Sequence, residues 1–446
     1  MIPLLAVFVI LTIALIYIIP PFENSDEFEH ISFISHLIRF KSLPCVNIDD
    51  TACRQIGYHP PLYYVLSVPF AVFSKFTFVP EEPLRDPEFN CSPQPPCRGR
   101  HRMYLAIDKN SSVLAKKTAQ ACVSLRWVSL LWGVGAALAA AELLWLLSRK
   151  SLYLSSAALA IFMFNPRWIE ACASVSNDAA ATFMGCLILL VIIKMIINES
   201  LYERRSVIYL GLLSSLAILT KLSLIGSLLL VPLVLLIGYG KHSVDMRRRL
   251  LACIIFVITA LIPCSIWFLR NDLLYGSFSS FQPEIWSTFV HLREQPFGLF
   301  NFRIEDLRSF IYSYWAVFGQ FGVLAHAWFY TALEIFLLIA AVSGLYFIIL
   351  QLKRSPDFKT RMVLLVTLSW LMIVFAFFLQ FNRYVYAAQG RLIYPAGICL
   401  AYYTAGGLFS FVREKGQKYL AFACILVTCS LAFYAVFLVI LRAYSC

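Results

Sequence analysis

Pro20-Pro21-Phe22-Glu23-Asn24-Ser25-Asp26-Glu27-Phe28-Glu29-His30, at the end of the unbroken apolar run 2–19, decides the fold. Two prolines stop a helix here, because proline lacks an N–H and restricts the residue before it. Asn24 is a good N-cap, and Glu27 stands three residues on, where a carboxylate reaches back to free N–H groups. The spacing predicts a helix to about Phe40. Ile31, Ile34, Leu37 and Ile38 share one arc of it, and Glu29, Ser32, His36 and Arg39 share the opposite one, the pattern of a helix lying at a membrane surface. Asp26 and His30 fall on the apolar arc. A carboxylate and an imidazole turned inward at a membrane boundary point to function. The plainer alternative is that Asp26 and Glu27 complement the helix dipole.

Working outward, the 446 residues are 60% hydrophobic and 14% charged. No soluble protein of this length hides so much apolar surface, which implies an all-α polytopic membrane protein. The run 2–19 lacks a basic leader and a small-residue cleavage site, so it reads as a retained span. Further apolar windows lie at 120–147, 152–164, 174–197, 206–219, 222–237, 250–269, 324–350, 362–381, 392–411 and 419–440, giving about eleven crossings. The window 62–78 is broken by Pro69 and reads as lying on, or dipping into, the membrane. The whole chain, 1–446, is expected to form one transmembrane domain. A first outer loop, 20–118, carries surface helices, and a second large one covers 270–323.

The net charge of +12 sits mostly in short loops and sets orientation. It implies membrane lipids as surroundings and no nucleic-acid partner. Alternate loops are basic: Arg149-Lys150, Arg204-Arg205, Lys241 with Arg247, Arg248 and Arg249, Lys353-Arg354 with Lys359 and Arg361, and Arg413 with Lys415 and Lys418. By the positive-inside rule the N-terminus is cytoplasmic, while the Asp26 loop and the C-terminus lie outside a plasma (inner) membrane. Of 13 cysteines, Cys45/Cys53 and Cys91/Cys97 form close pairs in the first outer loop. An oxidising space favours local disulfides there, and the spacings fit no common zinc pattern. Asn110-Ser111-Ser112 is a glycosylation sequon on the same side.

The outer helix ends collect a one-sided set: Asp26, Glu27 and His30; His59; Asn177-Asp178; Thr220-Lys221; Arg270-Asn271-Asp272; and Gln389-Gly390-Arg391. Singly each has an ordinary explanation. Asp178 can cap a helix, His59 can sit in a turn before Pro60-Pro61, and Lys221, Arg270 and Arg391 can snorkel. Together they match a chemistry. Cations hold a lipid phosphate, a carboxylate takes the proton of an incoming hydroxyl, and a neutralised phosphate leaves readily. That is transfer of a sugar from a polyprenyl-phosphate donor to a glycan, lipid or protein acceptor, and direct displacement with one base inverts the anomeric centre. A lipid-linked sugar transporter or flippase would show repeats and mid-membrane polar groups. A non-catalytic glycolipid-binding assembly protein would use nearly the same residues.

The ordered pieces resemble the GT-C superfamily of integral-membrane glycosyltransferases, and within it a bacterial membrane family known only as a domain of unknown function. They are Pro21…Asp26-Glu27-x-x-His30, His59-Pro60-Pro61-Leu62-Tyr63-Tyr64, Ser176-Asn177-Asp178, Thr220-Lys221, Arg270-Asn271 with Tyr275-Gly276, and Gln389-Gly390-Arg391. Protein O-mannosyltransferases and the lipid A aminoarabinose transferase have a similar architecture. The resemblance implies Asp26 as catalytic base, with Glu27 and His30 beside it. It implies His59, Asn177, Asp178, Lys221, Arg270, Asn271, Gln389 and Arg391 as substrate-binding residues. Such enzymes often work without a catalytic metal, so no cofactor is expected, although a divalent metal is compatible with the residues. The cysteine-bearing first loop is not a general feature of the superfamily.

Overall fold

The computed structural model describes every residue except 47–52, 77–79, 81–84, 87–101, 105–110, 239–243, 280–291, 293–303, 355–356, 386 and 446. Cys91, Cys97 and Asn110 lie outside the described residues, as does the middle of the second outer loop. All eleven apolar windows are helical. Among the described residues seven helices are long and apolar enough to cross a membrane: Val113–Leu147, Asp178–Ile197, Met246–Tyr275, Ala327–Lys353, Phe358–Asn382, Gly390–Ser410 and Glu414–Ser445. The remaining four windows are shorter. They are α1 (Ile2–Ile18) and the helices Leu152–Met163, Arg204–Thr220 and Ser227–Ile237. The helix Leu62–Phe73 is only about 18 Å long at 1.5 Å per residue, too short to cross. Among the described residues the only sheet is a two-residue antiparallel pair, Val317–Phe318 with Val323–Leu324.

The bundle is apolar on its outside as well as inside. On Met246–Tyr275, Leu250, Ile254, Ile258, Leu261, Ile262, Ile266, Leu269 and Leu273 are all exposed, a stripe that suits hydrocarbon. Helix contacts inside use small residues, because close backbone approach replaces the hydrophobic drive that lipid cannot supply. A Cβ on Gly185 would stand 2.8 Å from the Pro395 carbonyl oxygen, so the Asp178–Ile197 and Gly390–Ser410 helices meet through a bare backbone.

Two expectations for the first loop change. The helix α2 is Glu27–Phe40 with Asp26, not Asn24, at its N-cap, and residues Glu27 to Ser35 are buried all round. The first half of its polar arc is not wet: Glu29 and Ser32 are buried, with Arg54 Nη1 paired to Glu29 Oε1 at 2.8 Å, whereas Arg39 at the far end is exposed. The Cys45–Cys53 disulfide is absent. Cys45 is exposed, with its thiol toward Tyr275, whereas Cys53 caps the turn Arg54–Tyr58 and packs inward with Ile56 and Tyr64. Closeness in sequence does not make the two side chains face each other.

One ion pair ties the site end together. Arg126, in Val113–Leu147, is fully buried, as is Glu27. Arg126 Nε and Nη2 donate to the two Glu27 oxygens at 2.8 and 2.7 Å. Its other N–H groups reach the carbonyls of Ile16, Ile19 and Pro20 at 2.9, 2.6 and 2.9 Å. Glu27 also accepts from the N–H groups of Phe22 and Val175 at 3.0 and 2.9 Å. Removing one partner of such a pair strands a buried charge. Arg126→Gln should therefore destabilise the fold by about 3–5 kcal/mol, read as a lowered unfolding midpoint of the purified protein in detergent. A wild-type midpoint would show the pair to be dispensable.

The orientation expectation has its own check. Lys41, exposed just after α2, replaced by cysteine in a cysteine-reduced background, should react with a membrane-impermeant maleimide in intact cells, and Lys150→Cys only after lysis. The reverse labelling pattern would invert the topology.

Candidate active site

Asp26 has φ +60°, a left-handed conformation that Asp tolerates better than most residues. That turn points its carboxylate away from the Glu27 pocket. Asp26 Oδ2 lies 2.5 Å from Arg391 Nη2, and Oδ1 accepts from Gln55 Nε2 at 3.1 Å. Arg391 belongs to the tight turn Gly390–Ala396, and its Nε donates to Gln389 Oε1 at 2.7 Å. Gly390 allows this turn: a Cβ there would stand 2.4 Å from Tyr314 Cα. Arg391 Nη1 is 3.6 Å from Asp178 Oδ2, and Lys221 Nζ donates to Asp178 Oδ1. Lys221 sits in extended backbone where the helix Arg204–Thr220 ends, and Asn177 ties that break to the start of the helix Asp178–Ile197 by donating to the Thr220 carbonyl at 3.1 Å.

Four charges thus alternate in a chain, Asp26–Arg391–Asp178–Lys221, drawn from four separate helix ends. Asp26 is the most open of them, its side chain 27% exposed against 5% for Asp178. Burial disfavours the Asp26 carboxylate, but Arg391 beside it, helped by nearby His30 and His59, outweighs that and holds its pKa below the usual range.

Next to this chain His30 Nδ1 and His59 Nδ1 both meet the Tyr64 hydroxyl, at 2.9 and 3.1 Å. One hydroxyl proton can serve only one of them, so the two neutral imidazoles must be opposite tautomers. Burial, with the neighbouring His59, pushes His30 down to about 3. Burial, with Lys221, pushes His59 down to about 4.

A second polar layer lies behind. Arg167 pairs with Glu170, Glu170 Oε1 accepts from the Gly319 N–H at 2.7 Å, and Ser25 Oγ donates to the Gly319 carbonyl at 3.1 Å. Arg167, Ser25, Asn24, Asp178 and Arg391 line a small polar niche, and the Oδ1 of the buried Asn24 has no hydrogen-bond partner. Glu23 is buried, accepts from the N–H groups of Met103 and Tyr104 at 3.0 and 3.1 Å, and is pushed up to about 7 by burial.

Asp26, His30, His59, Asn177, Asp178, Lys221, Gln389 and Arg391 are thus brought together. Arg270 and Asn271 are bonded elsewhere. Arg270 Nη2 donates to the carbonyls of Leu43 and Pro44 at 3.2 and 2.7 Å, pinning the chain after α2, and buried Asn271 donates to the Phe278 carbonyl at 3.4 Å. Sequence reading missed Arg126, Arg167, Glu170, Glu23, Gln55 and the bridging role of Tyr64. The signal for Arg126 was a lone cation inside an apolar window, itself a reason to look. Among the described residues no three His, Cys, Asp or Glu side chains are placed to hold a metal ion. The Arg391 guanidinium stands between Asp26 and Asp178, where a cation shared by the two carboxylates would sit, so these residues do not fit a divalent metal.

The fold and the charged cluster define an all-α polytopic membrane protein with an alternating set of buried and half-buried charges at one end of its bundle. The solved structures it resembles include ArnT from Cupriavidus metallidurans bound to undecaprenyl phosphate, with a TM-score of 0.52, 12% identity, and coverage of 100% of this chain and 73% of that one. The apo state of the same protein matches with a TM-score of 0.51, 11% identity and the same coverage. No family model and no curated protein matches the sequence. At this identity the likeness is one of fold.

The buried titratable groups predict a pH dependence. His30 and His59 are held below their ordinary values, so as pH falls below about 6.5 the unfolded chain takes up protons that the folded one refuses, and stability drops. Glu23 has the opposite sign. Its raised value lets the folded state keep a proton that the unfolded chain releases above about 4.5, so its contribution fades as pH rises through about 7. Between about pH 4.5 and 6.5 the unfolding midpoint of Glu23→Gln should therefore climb with pH more steeply than that of wild type, and His59→Gln should flatten the climb. Parallel curves for all three proteins would rule out this assignment.

Proposed function

We propose that this chain transfers a sugar from a polyprenyl-phosphate donor to a hydroxyl acceptor at the membrane face that holds Asp26, with Asp26 as general base. The observation that carries the reading is the alternating chain Asp26–Arg391–Asp178–Lys221. It sets two cations for a phosphate beside a partly open carboxylate. The likeness in fold to a protein solved with undecaprenyl phosphate supports a lipid of that class.

At rest Arg391 masks Asp26. An entering donor phosphate competes for Arg391 and Lys221. As Arg391 turns to the phosphate, the Asp26 pKa returns toward its ordinary value, about 4, and the carboxylate becomes the better base. The acceptor oxygen then forms its bond to the anomeric carbon while the bond from that carbon to the phosphate oxygen breaks. The electron pair leaves with the polyprenyl phosphate, the acceptor proton goes to Asp26, and the configuration inverts.

His30, Tyr64 and His59 are neutral and fix the wall beside Asp26. Glu27 we assign to the fold rather than the chemistry, since both of its oxygens are taken by buried partners. Residues 1–446 act as one unit, with the reacting face and C-terminus extracytoplasmic at the plasma (inner) membrane.

Two variants test this. Asp26→Asn should lower turnover at least about a hundredfold, the low end for general-base catalysis, while donor binding is kept. Arg391→Gln should weaken donor binding and turnover together. Both are read on the same preparation, with labelled polyprenyl-phosphate sugar and release of free polyprenyl phosphate as the signal. Undiminished turnover in Asp26→Asn would overturn the assignment of the base. A wild-type protein that binds donor without turnover would instead favour a glycolipid-binding role.

A further inference from the structure

A second cavity lies far from Asp26. From Arg126 to Leu147 the helix Val113–Leu147 climbs about 30 Å, one hydrocarbon thickness, and it ends at this cavity. Its volume is about 280 Å³, and Leu146, Leu154, Phe347, Val363 and Leu364 give its wall an apolar side. Arg149, Lys359 and Thr360 also line it. That volume approaches the small end of ligand sites, and the mix of apolar wall and a few polar groups is typical of them.

The charges at the mouth are unevenly matched. Lys359 Nζ pairs with Glu199 Oε1 at 2.7 Å. Asp357 is engaged with the helix it caps, accepting from the N–H groups of Lys359 and Thr360 at 3.2 and 3.3 Å. Arg149 donates to the neutral Thr360 hydroxyl at 3.1 Å, and no carboxylate lies within ion-pair distance of it among the described residues. The exposed Lys150 and Lys353 add positive charge nearby. On Ala327–Arg354, the helix that supplies Phe347, Leu345, Ile349 and Leu352 are exposed, so hydrocarbon lies next to the cavity.

We propose that this cavity is a binding site for an anionic phospholipid of the leaflet opposite the Asp26 face. The headgroup phosphate sits on Arg149, with Lys359 and the Thr360 hydroxyl beside it, and one acyl chain lies along Leu154, Phe347 and Val363. An unpaired guanidinium asks for an anion, and basic pockets between transmembrane helices are where anionic headgroups bind. The apolar wall selects a lipid over a soluble phosphate.

The test uses the full chain from vesicles of mixed phosphatidylglycerol and phosphatidylcholine, released for native mass spectrometry. Wild type should retain phosphatidylglycerol in preference to phosphatidylcholine. Arg149→Gln should lose about fivefold or more of that retention, the weight of one basic group at an anionic surface. Leu154→Trp, which fills the apolar wall and leaves the charges, should lose it as well. Arg204→Gln with Arg205→Gln, on a different basic loop, should retain as wild type does. Four results would each overturn the proposal: equal retention of the two lipids, unchanged retention in Arg149→Gln, the same loss in the Arg204 and Arg205 variant, or displacement by soluble glycerol phosphate as effective as by phosphatidylglycerol. The first three mean diffuse surface attraction or none, and the last means a free-phosphate site.

Discussion

The buried Glu27–Arg126 pair is the constraint on which the functional end of the bundle depends. Taking two charges out of water is costly, and that cost is offset only where every donor and acceptor finds a partner. Here Arg126 makes five hydrogen bonds with its five N–H groups: two to Glu27 and three to the carbonyls that α1 leaves open at its end. Glu27 in turn holds Phe22 and Val175 through their N–H groups. Three segments that are distant in sequence, at 16–27, 126 and 175, are thereby fixed to one point. Asp26 is the neighbour of that point, and its left-handed turn aims it the other way. The adjacent acids Asp26-Glu27 are thus divided: one is buried and saturated, the other partly open and paired with a cation that a phosphate can claim.

The open half is balanced rather than strongly charged. Two carboxylates and two cations alternate, and two imidazoles beside them are held neutral by burial. An incoming monoanion or dianion therefore has to displace an existing partner. The longest contact in the chain is Arg391 to Asp178, at 3.6 Å, and Arg391 is the residue shared by both acids. Arg391 is consequently the place where binding of an anion and release of the Asp26 carboxylate are coupled.

Much of this was legible in the sequence, because a bilayer fixes the length and apolarity of what crosses it. All eleven windows are helices, and the prolines at 20 and 21 mark where α1 ends. The polar helix ends Asp26, Asp178, Lys221 and Arg391 could be sorted to one face, and they do converge. Arg270 could not be separated from them, since hydropathy gives depth but not position around the bundle. The α2 polar arc looked wet because nothing in its own spacing reveals that Arg54 covers Glu29. The Cys45/Cys53 pair misled for a related reason: spacing along the chain carries no information on which way a side chain turns.

Why the charged residues sit at helix ends follows from the backbone. Within a membrane, irregular backbone is tolerated only where protein or a cavity supplies partners for its open N–H and C=O groups. This bundle has four such places close together: the end of α1, the kink before Asp178, the break at Lys221 and the turn at Gly390. Each is satisfied by a polar side chain. Arg126 serves the α1 carbonyls, Asn177 the Thr220 carbonyl, and Ser313 Oγ accepts from the Gly390 N–H at 2.9 Å. Once those polar groups are present, charged neighbours have partners within reach and cost less to keep. The need to satisfy broken helices and the charged site are therefore one arrangement, and moving the breaks apart would leave neither the backbone nor the charges with partners.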